Sequence, residues 1–226
     1  MQTTATAEAS TFPRLLLQHA TERPGAPAMR EKEYGIWQTR SWADMATLVE
    51  HLACGLHQAG LQRGEHMIVV GANRPRLSAT MLAAQALGAI PVPLYQDAAA
   101  AECVFPITNA EVRFCLVEDQ EQVDKMLEVR EQCPQIARII YDDPRGLRNY
   151  EEDGLTFMDE LVAAGAQFAK QHPDFYRNEV ARIQPADVAA MFFTSGTTGN
   201  PKGVVHTHFS LIDRGQAGAE FDHLTS

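Results

Sequence analysis

Between His66 and Tyr141 short apolar runs alternate with longer amphipathic stretches, and this alternation narrows the choice of fold more than any other feature of the chain. Strand-type runs at residues 66–71, 89–92, 112–117 and 136–141 are separated by helix-type stretches at 75–87, 98–109 and 121–132. Strands that recur only after a helical crossover line up in parallel, with helices covering the sheet. The expected fold class is α/β: a wound, mainly parallel sheet flanked by helices, with ligands in the crevice at the carboxyl ends of its strands. Pro91 and Pro93 remove ladder donors from the second run, which assigns that strand to a sheet edge or an irregular exit. Asn73 is the expected N-cap of the helix that opens at Pro75.

Upstream, the spacing of Leu15, Leu16 and His19 predicts a helix over Phe12–Glu22, closed by Pro24 and Gly25. Two β-prone pieces follow at 28–31 and 36–40. Ser41 and Asp44 have the spacing of a capping box for a helix that reaches about Ala59, with Met45, Val49, Leu52 and Leu56 on one stripe and Gly60 at C′. Beyond the sheet, residues 142–154 read as an exposed connection, followed by helices at 156–170 and 174–182.

Residues 194–203 read Thr-Ser-Gly-Thr-Thr-Gly-Asn-Pro-Lys-Gly, between β-prone runs at 188–193 and 204–207. Gly196 and Gly199 accept positive φ and leave no Cβ in the way of a ligand. Thr194, Ser195, Thr197 and Thr198 add hydroxyl donors beside backbone N–H groups, Pro201 holds Asn200 extended, and Lys202 brings an ammonium. This strand, loop, strand unit suits the anionic oxygens of a polyphosphate. It is not the usual nucleotide loop, because no Gly-Lys-Ser/Thr is present and the lysine precedes Gly203. A ligand-free surface hairpin is the bland alternative.

Phe193-Thr194-Ser195-Gly196-Thr197-Thr198-Gly199-Asn200-Pro201-Lys202-Gly203-Val204 resembles the phosphate-binding signature of the AMP-forming acyl-adenylate superfamily, which includes acyl-CoA synthetases, luciferases and peptide-synthetase adenylation units. Gly64-Glu65-His66-Met67-Ile68-Val69, Ala72-Asn73-Arg74-Pro75 and Gly88-Ala89-Ile90-Pro91-Val92-Pro93-Leu94-Tyr95 share the likeness, which runs from about Phe12 to the last residue. Tyr95-Gln96-Asp97, Val117-Glu118-Asp119-Gln120 and the stretch from Tyr141 to Arg148 are similar to the fatty acyl-CoA synthetase branch.

The resemblance implies that Thr194, Ser195, Gly196, Thr197, Thr198, Gly199 and Lys202 hold the β- and γ-phosphates of ATP. It implies ATP, Mg²⁺ and CoA as cofactors, and a reaction in which a carboxylate attacks the α-phosphorus, pyrophosphate leaves and CoA captures the acyl-adenylate. Residues 1–11 are then a flexible tail, and 12–226 the N-terminal part of an AMP-binding domain that is incomplete at its C-terminal end. The family's adenine contacts, acidic Mg²⁺ ligand, acyl pocket, hinge and catalytic lysine have no matching positions. No catalytic residue is therefore assigned, and the chain by itself is expected to be inactive. Another acyl- or aryl-adenylate-forming ligase, or a non-catalytic nucleotide-binding fragment, remains the alternative.

The formal charge of −10 on 226 residues argues against nucleic acid as a partner. Cys54, Cys103, Cys115 and Cys133 form neither a C-x-x-C pair nor a dense framework, so reduced buried thiols and a cytoplasmic setting are expected. Residues 1–11 lack the pattern of a secretory signal, and the apolar stretch 81–94 is too short and too interrupted to span a bilayer, which leaves peripheral membrane contact open. His206 and His208 share a face if both lie on a strand, but no third metal ligand is near; His208 is expected to pack or hydrogen-bond and Ser210 to cap a helix. The acidic runs 118–121 and 151–153 read as solvated faces, and Ser195 lacks the flanks of a hydrolase nucleophile.

Overall fold

A computed structural model of the chain describes residues 10–194 and 201–223. Helix α1 (Phe12–Glu22) begins with Pro13 in its first turn, where a missing N–H costs nothing. Ser10 and Thr11 are buried, so the expected tail of residues 1–11 does not reach this far; residues 1–9 lie outside the described residues. Strands β1 (Pro27–Glu33) and β2 (Ile36–Ser41) pair antiparallel. Their two-residue turn has positive φ at both Tyr34 (47°) and Gly35 (82°), which suits the twist of a hairpin. Helix α2 (Trp42–Ala59) starts with the expected capping box: Ser41 Oγ accepts from the Asp44 N–H at 3.1 Å and Asp44 Oδ2 from the Ser41 N–H at 2.9 Å. It ends at Gly60, whose φ of 99° calls for glycine.

Five strands then form one sheet: β3 (His66–Val70), β4 (Ile90–Leu94), β5 (Phe114–Val117), β6 (Arg138–Tyr141) and β7 (Leu155–Phe157). Every pairing is parallel, in the order β4-β3-β5-β6-β7. The period of two along each strand divides the interior into two cores. Met67, Val69, Phe114, Leu116 and Ile140 enter one; Ile68, Val70, Cys115, Val117 and Ile139 enter the other. Helices α1, α2, α3 (Pro75–Ala86), α6 (Met158–Gln171) and α7 (Phe175–Arg182) close the first core, and α4 (Ala100–Asn109) and α5 (Gln120–Val129) the second. The expected α/β class, a wound parallel sheet flanked by helices, is what the chain adopts. Helices α2 and α6 meet at glycines. A Cβ on Gly165 would lie 1.8 Å from the His51 carbonyl oxygen, and one on Gly55 2.3 Å from that of Leu161.

The prolines explain the sheet's edge. Ile90 donates its N–H to Glu65 O at 2.8 Å, on the side of β3. Alternate residues point the same way, so the donors missing at Pro91 and Pro93 are those that would face away from β3. β4 is accordingly an edge strand. Strand β8 (Val188–Thr194) lies against it without joining its ladder, and pairs instead with β9 (Lys202–Thr207) in an antiparallel hairpin that leads into helix α8 (His208–Phe221).

Three local expectations need correction. The N-cap of α3 is Arg74, not Asn73; it has no side-chain cap bond, and its guanidinium reaches Glu118 at 2.5 Å and Glu31 at 3.6 Å. The helix expected over 156–170 is preceded by β7, three residues too few to show a period of their own. The cap of α8 is Thr207, whose Oγ1 accepts from the Ser210 N–H at 3.1 Å, so Ser210 is capped rather than capping. All four cysteines are free and buried, and burial pushes the Cys54 thiol up to about 11. No helix among the described residues is long and apolar enough to cross a membrane.

Candidate functional site

The β8–β9 hairpin presents the hydroxyl- and glycine-rich segment. Its register sets Phe193 opposite Gly203 and Thr194 opposite Lys202, so the strands frame that segment from both sides. Ala189 and Ala190 at the root are buried, whereas Thr194 and Lys202 at the tip are exposed. Ring contacts hold the middle: Phe193 meets Phe105 of α4 edge-on at 6.2 Å, and Phe192 meets His206 at 5.7 Å. A Cβ on Gly203 would lie 3.1 Å from Met191 Sδ, a tight contact with the end of a flexible side chain. The expected strand, loop, strand arrangement is present in its strands. Ser195, Gly196, Thr197, Thr198 and Gly199 lie outside the described residues, so of the sequence-predicted contacts the structure brings together Thr194 and Lys202.

Beside the hairpin tip opens a cleft of about 670 Å³. Its floor is the ends of β3 and β4, from Gly71 to Asn73 and from Pro93 to Asp97; its walls are Leu77, Ser78 and Met81 of α3 and Phe192 to Thr194 of β8. The lining mixes apolar side chains with polar groups from Asn73, Ser78, Gln96, Asp97 and Thr194 in nearly equal measure. The carboxyl ends of β4 and β8 thus come together at one rim, and Lys202 stands across the ladder from that rim.

The strand order reverses direction between β3 and β5, where a wound sheet commonly opens a crevice. Here that position is filled. Glu118, at the end of β5, accepts from the Ala72 N–H at 2.5 Å and pairs with Arg74, and a Cβ on Gly71 would meet its side chain at 2.7 Å. The open cleft is displaced one strand over, towards β4 and β8. This also corrects the reading of 118–121 as a solvated acidic face: Glu118 turns inward, and Asp119 caps α5 by accepting from the Gln122 N–H at 3.3 Å. Glu151, Glu152 and Asp153 are exposed as expected. A second cavity of about 570 Å³ lies beneath the β1–β2 hairpin, but its charges face one another: Arg40 with Glu31, and Arg76 with Asp142 at 2.6 Å and Asp159. Burial pushes the Asp142 carboxyl above its ordinary range, against the pull of Arg76.

The two histidines separate. His206 ends up on β9 against Phe192, while His208 begins α8, fully buried, and its Nδ1 accepts from the Phe12 N–H at 3.3 Å. Among the described residues no group of three His, Cys, Asp or Glu side chains lies together as metal ligands. One buried polar residue escaped the sequence reading except as an interruption of an apolar stretch: Gln85, on the same i, i+4 row of α3 as Leu77 and Met81. A lone amide in that row was the available signal.

An α/β domain whose β8–β9 hairpin flanks a hydroxyl- and glycine-rich segment, with Thr194 on the rim of a sheet-end cleft, is of the class that places ligand clefts at the carboxyl ends of its strands. The chain belongs to the AMP-binding enzyme family, whose pattern matches residues 16–224. It is 24% identical over 198 residues to the long-chain-fatty-acid–CoA ligase FadD15 of Mycobacterium bovis, covering 88% of this chain and 31% of that protein. It is 27% identical over 194 residues to the long-chain-fatty-acid–CoA ligase ACSBG1 of Bos taurus, covering 85% and 26%. The chain therefore spans about a third or less of these relatives' lengths. The crystal structure of the anthranilate CoA ligase AuaEII in complex with anthranoyl-AMP superimposes with a TM-score of 0.72 at 16% identity, over 92% of this chain and 37% of that one, a likeness of fold.

Proposed function

We propose that this chain supplies the phosphate-binding part of an ATP-dependent, AMP-forming ligase that joins a long-chain fatty acid to CoA, and that by itself it does not turn over. The observation that carries the reading is the register that stands Thr194 opposite Lys202 at the mouth of the sheet-end cleft. In this reading the segment from Thr194 to Lys202 binds the β- and γ-phosphates of ATP through hydroxyls, glycine-flanked N–H groups and the lysine ammonium. Charge grows on the departing pyrophosphate when the carboxylate attacks the α-phosphorus, so donors already aimed there stabilise the transition state more than the ground state. Mg²⁺ supplies further neutralisation of the phosphate oxygens when bound. Thr194 on the cleft rim and Lys202 across the ladder from it, both exposed, suit an anionic ligand that brings its own metal.

The fatty acid and the CoA step rest on what the relatives are named for, and the acyl- or aryl-adenylate alternative differs only in the carboxylate. A cytoplasmic enzyme that meets lipid at most peripherally is the setting this substrate class implies. Calorimetric titration of the chain with Mg·ATP tests the reading. Binding should weaken about tenfold or more in Lys202→Ala, the loss of a charge-assisted contact. An absent response, or one indifferent to that substitution, overturns the phosphate assignment. Pyrophosphate–ATP exchange driven by a carboxylate and catalysed by the chain alone would refute its inactivity.

A further inference from the structure

β8 carries one residue more than β9 at its root. Val188 pairs with Thr207 and Ala190 with His206, which leaves Ala189 without a cross-strand partner. Ala189 is fully buried, so its carbonyl needs a donor from elsewhere. That donor is Gln85, whose Nε2 lies 2.8 Å from Ala189 O in a buried contact between α3 and β8. The other amide atom, Gln85 Oε1, is buried with no hydrogen-bond partner, so the side chain accepts an unsatisfied acceptor to make this one bond.

We propose that Gln85 is a positioning residue for the phosphate-binding segment: its amide holds the bulge at Ala189 and thereby sets the register in which Thr194 faces Lys202. This rests on the function proposed above. The leverage comes from strand geometry. If the Val188–Thr207 register were carried up the strand, Thr194 would stand opposite Pro201, and the side chains of β8 would exchange faces. Phe192, which meets His206, and Phe193, which packs on the second core, would exchange sides of the hairpin, and the rim of the cleft would change. Along the same row of α3, Leu77 and Met81 line the cleft beside Phe192 and Phe193, so one helix edge both walls the site and pins its hairpin. β4 offers no substitute, since Pro91 and Pro93 lack the donors that would face β8.

The test uses the 226-residue chain and the unbranched substitution Gln85→Met, which keeps bulk and removes the amide. Hydrogen exchange should accelerate about tenfold or more across the β8–β9 segment while β3 and β5 keep their protection. Mg·ATP affinity should fall with it. Acceleration spread evenly over the sheet, or none at the hairpin, overturns the proposal. In the unsubstituted chain, a scalar coupling across the hydrogen bond from Gln85 Nε2 to the Ala189 carbonyl carbon should be measurable by NMR; its absence overturns the proposal even if the variant does not fold. Should the unsubstituted chain bind no Mg·ATP, the phosphate reading fails, and the exchange pattern still decides whether Gln85 holds the register.

Discussion

Lowering the pH should loosen the hairpin from below through a single buried imidazole. His208 sits where β9 turns into α8, 1% exposed, and its Nδ1 accepts the Phe12 N–H at 3.3 Å while its backbone N–H donates to the Asp187 backbone carbonyl at 3.1 Å. Burial lowers its pKa from 6.5 to about 4; the Asp187 carboxylate pulls the other way and Arg14 adds to the lowering. A proton on Nδ1 would set one donor against another. Because the folded chain resists protonation and the unfolded chain does not, stability is complete above pH 6.5 and falls as pH drops towards 4, below which both states carry the proton. With about 1.4 kcal/mol for each unit, His208 alone should remove roughly 2.5 kcal/mol between pH 7.5 and 4.5. Urea denaturation of the chain and of His208→Gln at those two pH values isolates the effect, since titration of the carboxylates is common to both and cancels. The difference in unfolding free energy between them should shift by that amount in favour of the variant at low pH. A difference that stays within about 0.5 kcal/mol across the range would refute the assignment of a neutral, accepting His208.

Two substitutions probe the scaffold that carries the site. Gly165→Ala drives a methyl group towards the His51 carbonyl oxygen, 1.8 Å from the ideal Cβ, and should cost about 1–3 kcal/mol in chemical denaturation as α2 and α6 are forced apart. Ser41→Ala removes the acceptor of the Asp44 N–H and should cost about 1 kcal/mol, with the loss recovered largely by Ser41→Asn in the same assay.

The parts of this fold that were legible in the chain are those written in local periodicity. α2 announces itself with Ser41, Asp44, a stripe of apolar residues and Gly60, and each of those marks has the role its chemistry suggests. The parallel sheet follows from strands that return only after a helix, and the edge position of β4 from its two prolines. What escaped was decided by partners far away in sequence. Glu118 looked like a solvated acid until β3 and β5 became neighbours and brought the Ala72 N–H and Arg74 to it. Arg74 displaced Asn73 from the cap of α3 because an extended residue there lets the guanidinium reach both Glu31 and Glu118. Gln85 looked like a blemish in an apolar run because its partner, a bulged carbonyl, is 104 residues away.

These non-local contacts share a consequence for where the cleft lies. Sealing the gap between β3 and β5 with the Glu118 carboxylate removes the crevice that a wound sheet usually offers, and the prolines of β4 prevent β8 from extending the sheet and closing the other side. β8 pairs with β9, packs against β4 without joining its ladder and accepts a hydrogen bond from the Gln85 amide, with Thr194 on the rim of a space of about 670 Å³. The missing N–H groups of Pro91 and Pro93 thus shape this face as much as the side chains on the cleft walls do: they keep β8 out of the ladder of the main sheet.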